Sequence, residues 1–358
     1  MSRKLNFFAG PSTLPVEVLE ELKENMVDYK GMGMSLIETS HRSKEYDEVH
    51  NEAVGLVKEL LELPDNYKVV FLGGGATLQF SMVPMNLLIG ERVCDYTLTG
   101  VWAKKAYADA VKLGKVNVAF DGKDDKYTQL PASVMPSAGS SYLHLTSNET
   151  IGGLQWQNWP DTGGVPLVAD MSSDIMSRPL PIEKFGMIYA GAQKNLGPAG
   201  TTLAIIRNDL LERSSDNLTA YLNYSIHADK NSLYNTPPVF SIWAVMLVLR
   251  RLKALGGLGE VEKMNRKKAG IIYDAIDSSE GFYKCPVQTE NRSMMNIVFT
   301  MANEDLEKEF VTKAEAEGMV GLKGHRDVGG CRASVYNSMP LEGAKTLADF
   351  MKNFAASK

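Results

Sequence analysis

Short apolar runs alternate with amphipathic segments along most of the chain, a pattern typical of strands separated by helices. The runs that predict strands lie at 67–72, 92–98, 116–120, 141–145, 165–170, 187–191 and 202–207. Helical periodicity is found at 16–29, 45–61, 77–88 and 102–113. This alternation predicts an α/β fold, with a mostly parallel sheet sandwiched by helices. Ligands of such sheets bind beyond the carboxyl ends of the strands.

The pattern changes beyond residue 257, where longer and more highly charged helical segments begin. The last part of the chain predicts helices and two short strands, at 261–276, 296–301, 305–318, 331–335 and 341–354. We therefore predict a large domain over 16–257 and a smaller α/β C-terminal domain over 258–358. We expect the segment 1–15 to pack with the small domain.

The composition is that of an ordinary globular protein, since 44% of the 358 residues are hydrophobic and 23% are charged. A net charge of -5 disfavours binding to nucleic acid or to anionic membranes, so a bound anion needs cations placed around it. The longest apolar stretch, 240–249, is too short to span a bilayer and predicts a buried helix. We expect no metal site, because the histidines lack the spacing of metal ligands.

The three cysteines, Cys94, Cys285 and Cys331, lie far apart in the sequence. They form no CxxC pair, and their odd number argues against a disulfide framework. A reducing compartment suits such a chain, so we expect a cytoplasmic location.

Asp170 and Lys194 each end an apolar run, and one strand, a crossover and a neighbouring strand would fit the interval between them. Both charged groups would then lie at the same edge of the sheet. Pyridoxal 5'-phosphate (PLP) chemistry uses such a pair. The amine forms a Schiff base with the aldehyde, and the carboxylate keeps the pyridine nitrogen protonated. Either residue alone is more simply explained as a solvated surface charge, but the pair at this spacing favours a PLP site.

Three further features follow predicted strands. The glycine-rich stretch Gly73–Gln79 opens a helix, where backbone N–H groups and the Thr77 hydroxyl could hold a phosphate. It contains neither GxGxxG nor a Gly-Lys-Ser/Thr ending, which excludes the usual nucleotide-binding loops. Trp102 could stack on a pyridine ring, and Thr150 could reach a ring oxygen. Taken singly, each also has a plain structural explanation, as a glycine turn, a core aromatic or a turn-forming threonine.

Motifs spread over nearly the whole chain resemble those of the phosphoserine aminotransferases, which are PLP enzymes of fold type I. They are Gly10-Pro11, Ser40-His41-Arg42, Asn148-Glu149-Thr150, Ala169-Asp170, Tyr189-Ala-Gly-Ala-Gln-Lys194-Asn195, Asn235-Thr-Pro-Pro238, Leu322-Lys-Gly-His-Arg326, Gly329-Gly-Cys-Arg332-Ala-Ser334 and Tyr336-Asn337. The Ala-Gly-Ala-Gln-Lys and Lys-Gly-His-Arg stretches are specific to this family rather than general to PLP enzymes.

The resemblance implies how the cofactor is held. Lys194 would form the Schiff base, Asp170 would pair with the pyridine nitrogen, and Trp102 would stack on the ring. Thr150 would bond the ring hydroxyl. The residues that would hold the cofactor phosphate are Ala76, Thr77, Gln193 and, from the second subunit of a homodimer, Asn235 and Thr236.

The resemblance also implies how substrates are recognised, since a carboxylate and a phosphate need two anion sites. Arg332 would bind the α-carboxylate. His41 and Arg42, lent by the partner subunit, would join His325 and Arg326 at the phosphate or at the distal carboxylate.

Some family members carry an arginine where this chain has Thr77, so one cation that could help to bind substrate phosphate is missing here. The implied reaction is a reversible, ping-pong transfer of the amino group between glutamate and 3-phosphohydroxypyruvate. It gives O-phosphoserine and 2-oxoglutarate in serine biosynthesis, and Lys194 would move the proton of the substrate's Cα. The resemblance also permits 4-phosphohydroxythreonine, of pyridoxine biosynthesis, as a substrate.

The residues leave two other functions open. One is a different fold-type I PLP enzyme, such as an alanine/serine–glyoxylate type aminotransferase or a cysteine desulfurase. A desulfurase needs a reactive cysteine on a mobile loop, whereas Cys331 is predicted at the start of a strand. The other is a non-catalytic phosphate- or nucleotide-binding protein, which would use the glycine-rich stretch and leave Asp170 and Lys194 without a role.

Overall fold

The computed structural model describes residues 3–88, 90–214, 217–326 and 328–358. The helices are α1 (Val16–Glu24), α2 (Lys44–Leu60), α3 (Gly75–Leu87), α4 (Val101–Ala110), α5 (Asn208–Leu211), α6 (Tyr224–Asp229), α7 (Val239–Ala254), α8 (Leu258–Asp277), α9 (Glu304–Ala316) and α10 (Leu341–Ala356). The strands are β1 (Leu5–Asn6), β2 (Tyr67–Leu72), β3 (Val93–Leu98), β4 (Lys115–Asp121), β5 (Leu143–Thr146), β6 (Asn148–Glu149), β7 (Leu154–Gln155), β8 (Leu167–Asp170), β9 (Phe185–Gly191), β10 (Thr202–Arg207), β11 (Asn296–Phe299), β12 (Met319–Val320) and β13 (Cys331–Ser334).

A seven-stranded sheet in the order β2-β10-β9-β8-β5-β3-β4 forms the centre of the fold. The pairs β3–β4, β3–β5, β5–β8 and β8–β9 are parallel. Strand β10 runs antiparallel to both of its neighbours, β2 and β9. The prediction of an α/β fold with a mostly parallel sheet is therefore confirmed.

Both faces of this sheet are covered, which explains why its strands are continuous apolar runs rather than alternating ones. In β10, Leu203 and Ile205 pack in the core on the side of α2 and α7, whereas Ala204 and Ile206 pack on the side of α3 and α4. The predicted buried helix is α7, in which each residue from Ser241 to Leu249 is buried. No helix among the described residues is long and apolar enough to cross a membrane.

Helix α1 ends at Glu24, five residues earlier than the sequence pattern predicts, where the Asn25 side-chain amide donates to the Glu21 carbonyl at 3.0 Å. A tight turn follows at 28–33. Lys30, Gly31 and Gly33 all have left-handed backbone conformations, with φ of 53°, 82° and 74°. The Asp28 carboxylate accepts a hydrogen bond from the Gly33 N–H at 2.8 Å, which holds the turn.

A separate apolar core forms among residues of α8, α9, α10, β11 and β13, and Phe7 is buried within it. Strand β1 pairs in parallel with β12, with Leu5 opposite Met319. The division of the chain at 257 stays a prediction, and residues 1 and 2 of the segment 1–15 lie outside the described residues.

Candidate active site

Asp170 and Lys194 lie at the carboxyl ends of two neighbouring parallel strands. Asp170 is the last residue of β8 and is paired with Tyr189 of β9. Lys194 lies in the turn that follows the end of β9 at Gly191. Both side chains line one cavity of about 280 Å³ at this edge of the sheet.

Most of the predicted site residues line the same cavity. They are Ala76, Thr77, Trp102, Thr150, Asp170, Gln193, Lys194, His325 and Arg332. The other residues of the lining were not predicted from the sequence, namely Ala9, Gly10, Gly75, Thr146, Asn148, Ile151, Ser172 and Ser173.

The remaining predicted residues, His41, Arg42, Asn235, Thr236 and Arg326, are not among the described residues that line this cavity. His41 and Thr236 nevertheless lie together, because Thr236 Oγ1 is 3.3 Å from His41 Nδ1. Arg42 and Arg326 are exposed to solvent. Within one chain, the structure thus separates the predicted residues into a cavity set and a surface set.

The glycine-rich stretch forms the entry to helix α3, as its spacing predicts. Gly74 has a φ of 85°, and a Cβ at this position would lie 2.5 Å from Leu78 Cδ2. Only glycine fits this turn, which allows α3 to begin at Gly75 beside the cavity. The backbone N–H groups of a first helical turn have no partner within the helix, so this end can bind an anion.

The Asp170 carboxylate is almost fully buried at the base of the cavity, with 4% of the residue exposed. It accepts hydrogen bonds from the Ser172 N–H at 2.9 Å and from the Ser172 hydroxyl at 2.6 Å, and both reach Oδ1. Burial raises the pKa of Asp170, which the Ser172 bonds and the charge of Lys194 oppose. A buried carboxylate of this kind is stabilised by a cation or an N–H donor in the cavity.

The Lys194 amine donates a hydrogen bond to the Thr150 hydroxyl at 2.7 Å and lies 5.5 Å from the centre of the Trp102 ring. Loss of hydration lowers the pKa of Lys194 to about 8, although the charges of Asp170 and Glu149 oppose the shift. About a tenth of this amine is therefore neutral at pH 7, far more than for an ordinary lysine, and only the neutral amine can attack.

Glu149 lies beside the site. It belongs to the sequence motif Asn148-Glu149-Thr150, but no role for it was predicted from the sequence. Its buried carboxylate accepts hydrogen bonds from the backbone N–H groups of Trp102 at 3.2 Å and Ala103 at 3.0 Å, in the first turn of α4. Burial raises the pKa of Glu149 to about 7. Through these bonds Glu149 fixes the backbone that carries the Trp102 indole beside the cavity.

Arg332 brings a half-buried guanidinium to the cavity from strand β13. Its Nη1 donates to the Thr150 carbonyl at 3.3 Å, and its Nε is buried with no partner among the described residues. Burial lowers the pKa of Arg332, but a guanidinium stays charged at neutral pH. Unused donors on a buried cation suit a carboxylate ligand.

Cys331 does not have the properties of a reactive thiol. It is 1% exposed, and burial raises the pKa of its thiol to about 12. A desulfurase nucleophile would need an accessible thiol that ionises readily. Among the described residues there is also no cluster of His, Cys, Asp or Glu that could hold a metal ion.

In this structure a lysine and a carboxylate face one cavity at the carboxyl edge of a mostly parallel sheet, which is the arrangement of an aminotransferase. The class-V aminotransferase family matches residues 4–347. A phosphoserine aminotransferase of Lysinibacillus sphaericus (strain C3-41) is 54% identical over 354 residues, which are 98% of each chain. The chain belongs to the phosphoserine aminotransferase family.

Solved structures of the family agree with this assignment. A phosphoserine aminotransferase from Bacillus circulans subsp. alkalophilus has a TM-score of 0.98 at 51% identity, with 99% of both chains covered. A second solved phosphoserine aminotransferase, in which a Schiff base was studied, has a TM-score of 0.97 at 46% identity and covers 100% of both chains. The predicted family, fold and enzyme class are therefore confirmed.

Proposed function

We propose that this enzyme transfers the amino group of glutamate to 3-phosphohydroxypyruvate, giving O-phosphoserine and 2-oxoglutarate, and that it does so with PLP. The observation that carries the proposal is the shared cavity of Asp170 and Lys194 at the ends of parallel strands β8 and β9. The 54% identity to a phosphoserine aminotransferase supports the choice of substrates. Activity on 4-phosphohydroxythreonine is a further part of the proposal.

The groups around the cavity fit PLP in charge and in position. Asp170 has a buried carboxylate that needs a cationic partner, and the start of α3 supplies N–H groups suited to a phosphate. The Thr146 hydroxyl, buried in the cavity wall with no partner in the described part of the chain, is available to a polar ligand. Lys194 would hold the cofactor covalently, with Trp102 against its ring. When bound, PLP supplies an electron sink that weakens the bond between the substrate's Cα and its proton.

Ala76, Thr77 and Gln193 would hold the cofactor phosphate in this proposal, and Thr150 would bond the ring oxygen. All four line the cavity, which supports these roles. Thr150 is only 3% exposed, and its hydroxyl already contacts Lys194 Nζ. Thr150 would thus contact both the Lys194 amine and the ring oxygen of the cofactor.

Lys194 would also move the proton of the substrate. A pKa of about 8 lets its amine accept a proton from the substrate's Cα and return one in the reverse half-reaction near neutral pH. The Thr150 hydroxyl holds Nζ on the cavity side by its 2.7 Å hydrogen bond. Because the amine is held inside the cavity, it needs no approach from solvent.

Arg332 would bind the α-carboxylate of either substrate, with its Nε, which has no partner among the described residues, as one of the donors. Its bond to the Thr150 carbonyl would fix the guanidinium plane relative to Lys194. His325, which lines the same cavity, and Arg326 beside it would bind the phosphate or the distal carboxylate.

The surface set of predicted residues supports a homodimer with shared sites. His41 and Thr236 contact each other outside this chain's cavity, and their neighbours Arg42 and Asn235 flank them. Large apolar side chains of the same segments are exposed, at Met34, Ile37, Tyr234 and Phe240. We propose that this face packs against a second copy and that its residues complete the partner's cavity. A cytoplasmic location is also proposed, in keeping with the three free cysteines.

A coupled assay of 2-oxoglutarate formation from glutamate tests the substrate assignment. We expect turnover with 3-phosphohydroxypyruvate to exceed turnover with glyoxylate by a wide margin. Lys194→Ala should abolish this turnover. Lys105→Ala is the matched control, since the Lys105 amine lies 4.5 Å from the Trp102 ring but does not line the cavity, and it should preserve the turnover. Preference for glyoxylate, or near-normal turnover of the Lys194→Ala protein, would contradict the proposal.

A further inference from the structure

Three buried asparagines, Asn195, Asn265 and Asn337, form a hydrogen-bonded cluster beneath the cavity. They are 1%, 1% and 6% exposed. Asn337 N donates to Asn195 Oδ1 at 3.0 Å, and Asn265 Nδ2 donates to Asn337 Oδ1 at 2.8 Å. Asn195 and Asn337 belong to sequence motifs shared with the family, but the site as built so far gives them no role.

Asn195, the member of the cluster next to the lysine, joins three functional segments. Its backbone follows Lys194, and its Nδ2 donates to the Ile175 carbonyl at 3.1 Å, in the loop that follows Asp170. Its Oδ1 accepts from the Asn337 N–H, five residues beyond Arg332. One side chain thus ties together the segments that carry the lysine, the carboxylate and the arginine.

The loop after Asp170 needs such anchoring. Met176 has a left-handed backbone, with a φ of 57°, which is uncommon for a residue other than glycine. Its carbonyl accepts from Asn337 Nδ2 at 2.8 Å, and the next carbonyl, of Ser177, accepts from Asn265 Nδ2 at 3.0 Å. Side-chain amides therefore satisfy three carbonyls of this loop that no regular secondary structure satisfies.

We infer that Asn195 is a positioning residue, which sets the separation of Lys194 and Asp170 across the cofactor and aligns Arg332 with them. The inference rests on the proposed PLP site. A side chain that bonds all three segments constrains their mutual distances directly. Removing it would leave the Ile175 carbonyl and the Asn337 N–H buried and unsatisfied, on either side of the lysine turn.

Asn265 provides a matched control for this role. Like Asn195, it is 1% exposed, donates its amide to a carbonyl of the loop after Asp170, and bonds Asn337. It differs in lying on helix α8, away from the lysine turn. Asn195→Ala and Asn265→Ala should therefore both lower the melting temperature of the PLP-bound enzyme, and Asn195→Ala should lower it further because it also weakens the binding of PLP.

The two variants should differ in how they bind the cofactor. We expect Asn195→Ala to weaken the equilibrium binding of PLP by about tenfold or more, because Lys194 and Asp170 are no longer held at the separation that the cofactor needs. It should also move the pH midpoint at which the visible absorption band of the bound cofactor changes. We expect Asn265→Ala to leave both quantities close to those of the unmodified enzyme.

Equal cofactor effects in the two variants, or no effect in either, would overturn the inference. If Asn195→Ala does not fold, Asn195→Asp is tested in the same way, since it keeps the acceptor for the Asn337 N–H and loses the donor to Ile175. Unchanged PLP binding in that variant would also overturn the inference. An unmodified enzyme that binds no PLP would instead contradict the proposed function, so the two failures are distinguishable.

Discussion

Replacing Glu149 by glutamine should change how the stability of this enzyme depends on pH. The carboxylate is 1% exposed and lies under the first turn of α4. Burial raises its pKa from 4.5 to about 7, against the opposing hydrogen bonds from Ala103 and Trp102. Glutamine has nearly the same shape and can still accept a backbone hydrogen bond, but it does not titrate.

The sign of the effect follows from the direction of the shift. Since the pKa of Glu149 is higher in the folded chain, its contribution to stability is complete below pH 4.5 and is lost as the pH rises through about 7. The full difference corresponds to about 3 kcal/mol at about 1.4 kcal/mol per pH unit. Most of it is lost between about pH 5 and about pH 8, which corresponds to about 3 °C in melting temperature for a chain of this length.

Scanning calorimetry of both proteins at several pH values measures this effect. Cofactor-free protein is used, because a bound cofactor would change the charge on Lys194. The melting temperature of the Glu149→Gln variant relative to the unmodified protein should rise by about 3 °C between about pH 5 and about pH 8. Packing effects of the glutamine are independent of pH and cancel in this comparison. A difference that stays flat across the range would refute the reasoning.

Three other substitutions test separate parts of the site. Asp170→Asn keeps the shape of the side chain but removes its charge. Equilibrium titration should therefore show PLP binding weakened by about tenfold or more. Unchanged affinity would contradict a pairing of Asp170 with the pyridine nitrogen. Arg332→Lys loses the bidentate contact with a carboxylate. The kcat/KM for glutamate should therefore fall by about 10- to 100-fold while the affinity for PLP is retained. An equal loss of kcat/KM and of PLP affinity would point to disruption of the whole cavity. Gly100→Ala places a Cβ 2.5 Å from Glu149 Cδ and should cost about 1–3 kcal/mol by overpacking, seen as a lower melting temperature; an unchanged melting temperature would show that the carboxylate is not held as described.

The sequence was sufficient to predict most of the central sheet, because strands buried on both faces appear as uninterrupted apolar runs. Strands β2 and β10 have the predicted bounds, and β8 ends at the predicted Asp170. The direction of each strand could not be predicted from the sequence pattern, since an apolar run such as Thr202–Arg207 has the same composition in a parallel and in an antiparallel strand. The antiparallel course of β10 fits its connection to β9, since the residues 192–201 between them are fewer than the dozen or so that a crossover to a parallel strand needs.

The site shows the same division between local and long-range information. Gly74 and Lys194 belong to local patterns, a glycine turn before a helix and a charge after an apolar run. Glu149 had a visible signal, an acidic residue within a buried stretch, but its partners Trp102 and Ala103 lie far away in the sequence. Asn195 also stands in one of the sequence motifs, but its role could not be recognised, because its bonds to Ile175 and Asn337 exist only in the folded chain.

The central claim, that Lys194 is the amine that binds PLP, is tested most directly by borohydride reduction of the PLP-bound enzyme followed by peptide mass spectrometry. Lys268 is an internal control, since burial lowers the pKa of its amine to about 7 while it donates to the carbonyls of Val335 and Tyr336. We predict that the reduced cofactor is found on the peptide containing Lys194 and not on Lys268. Modification of Lys268 or another lysine, or of none, would contradict the account.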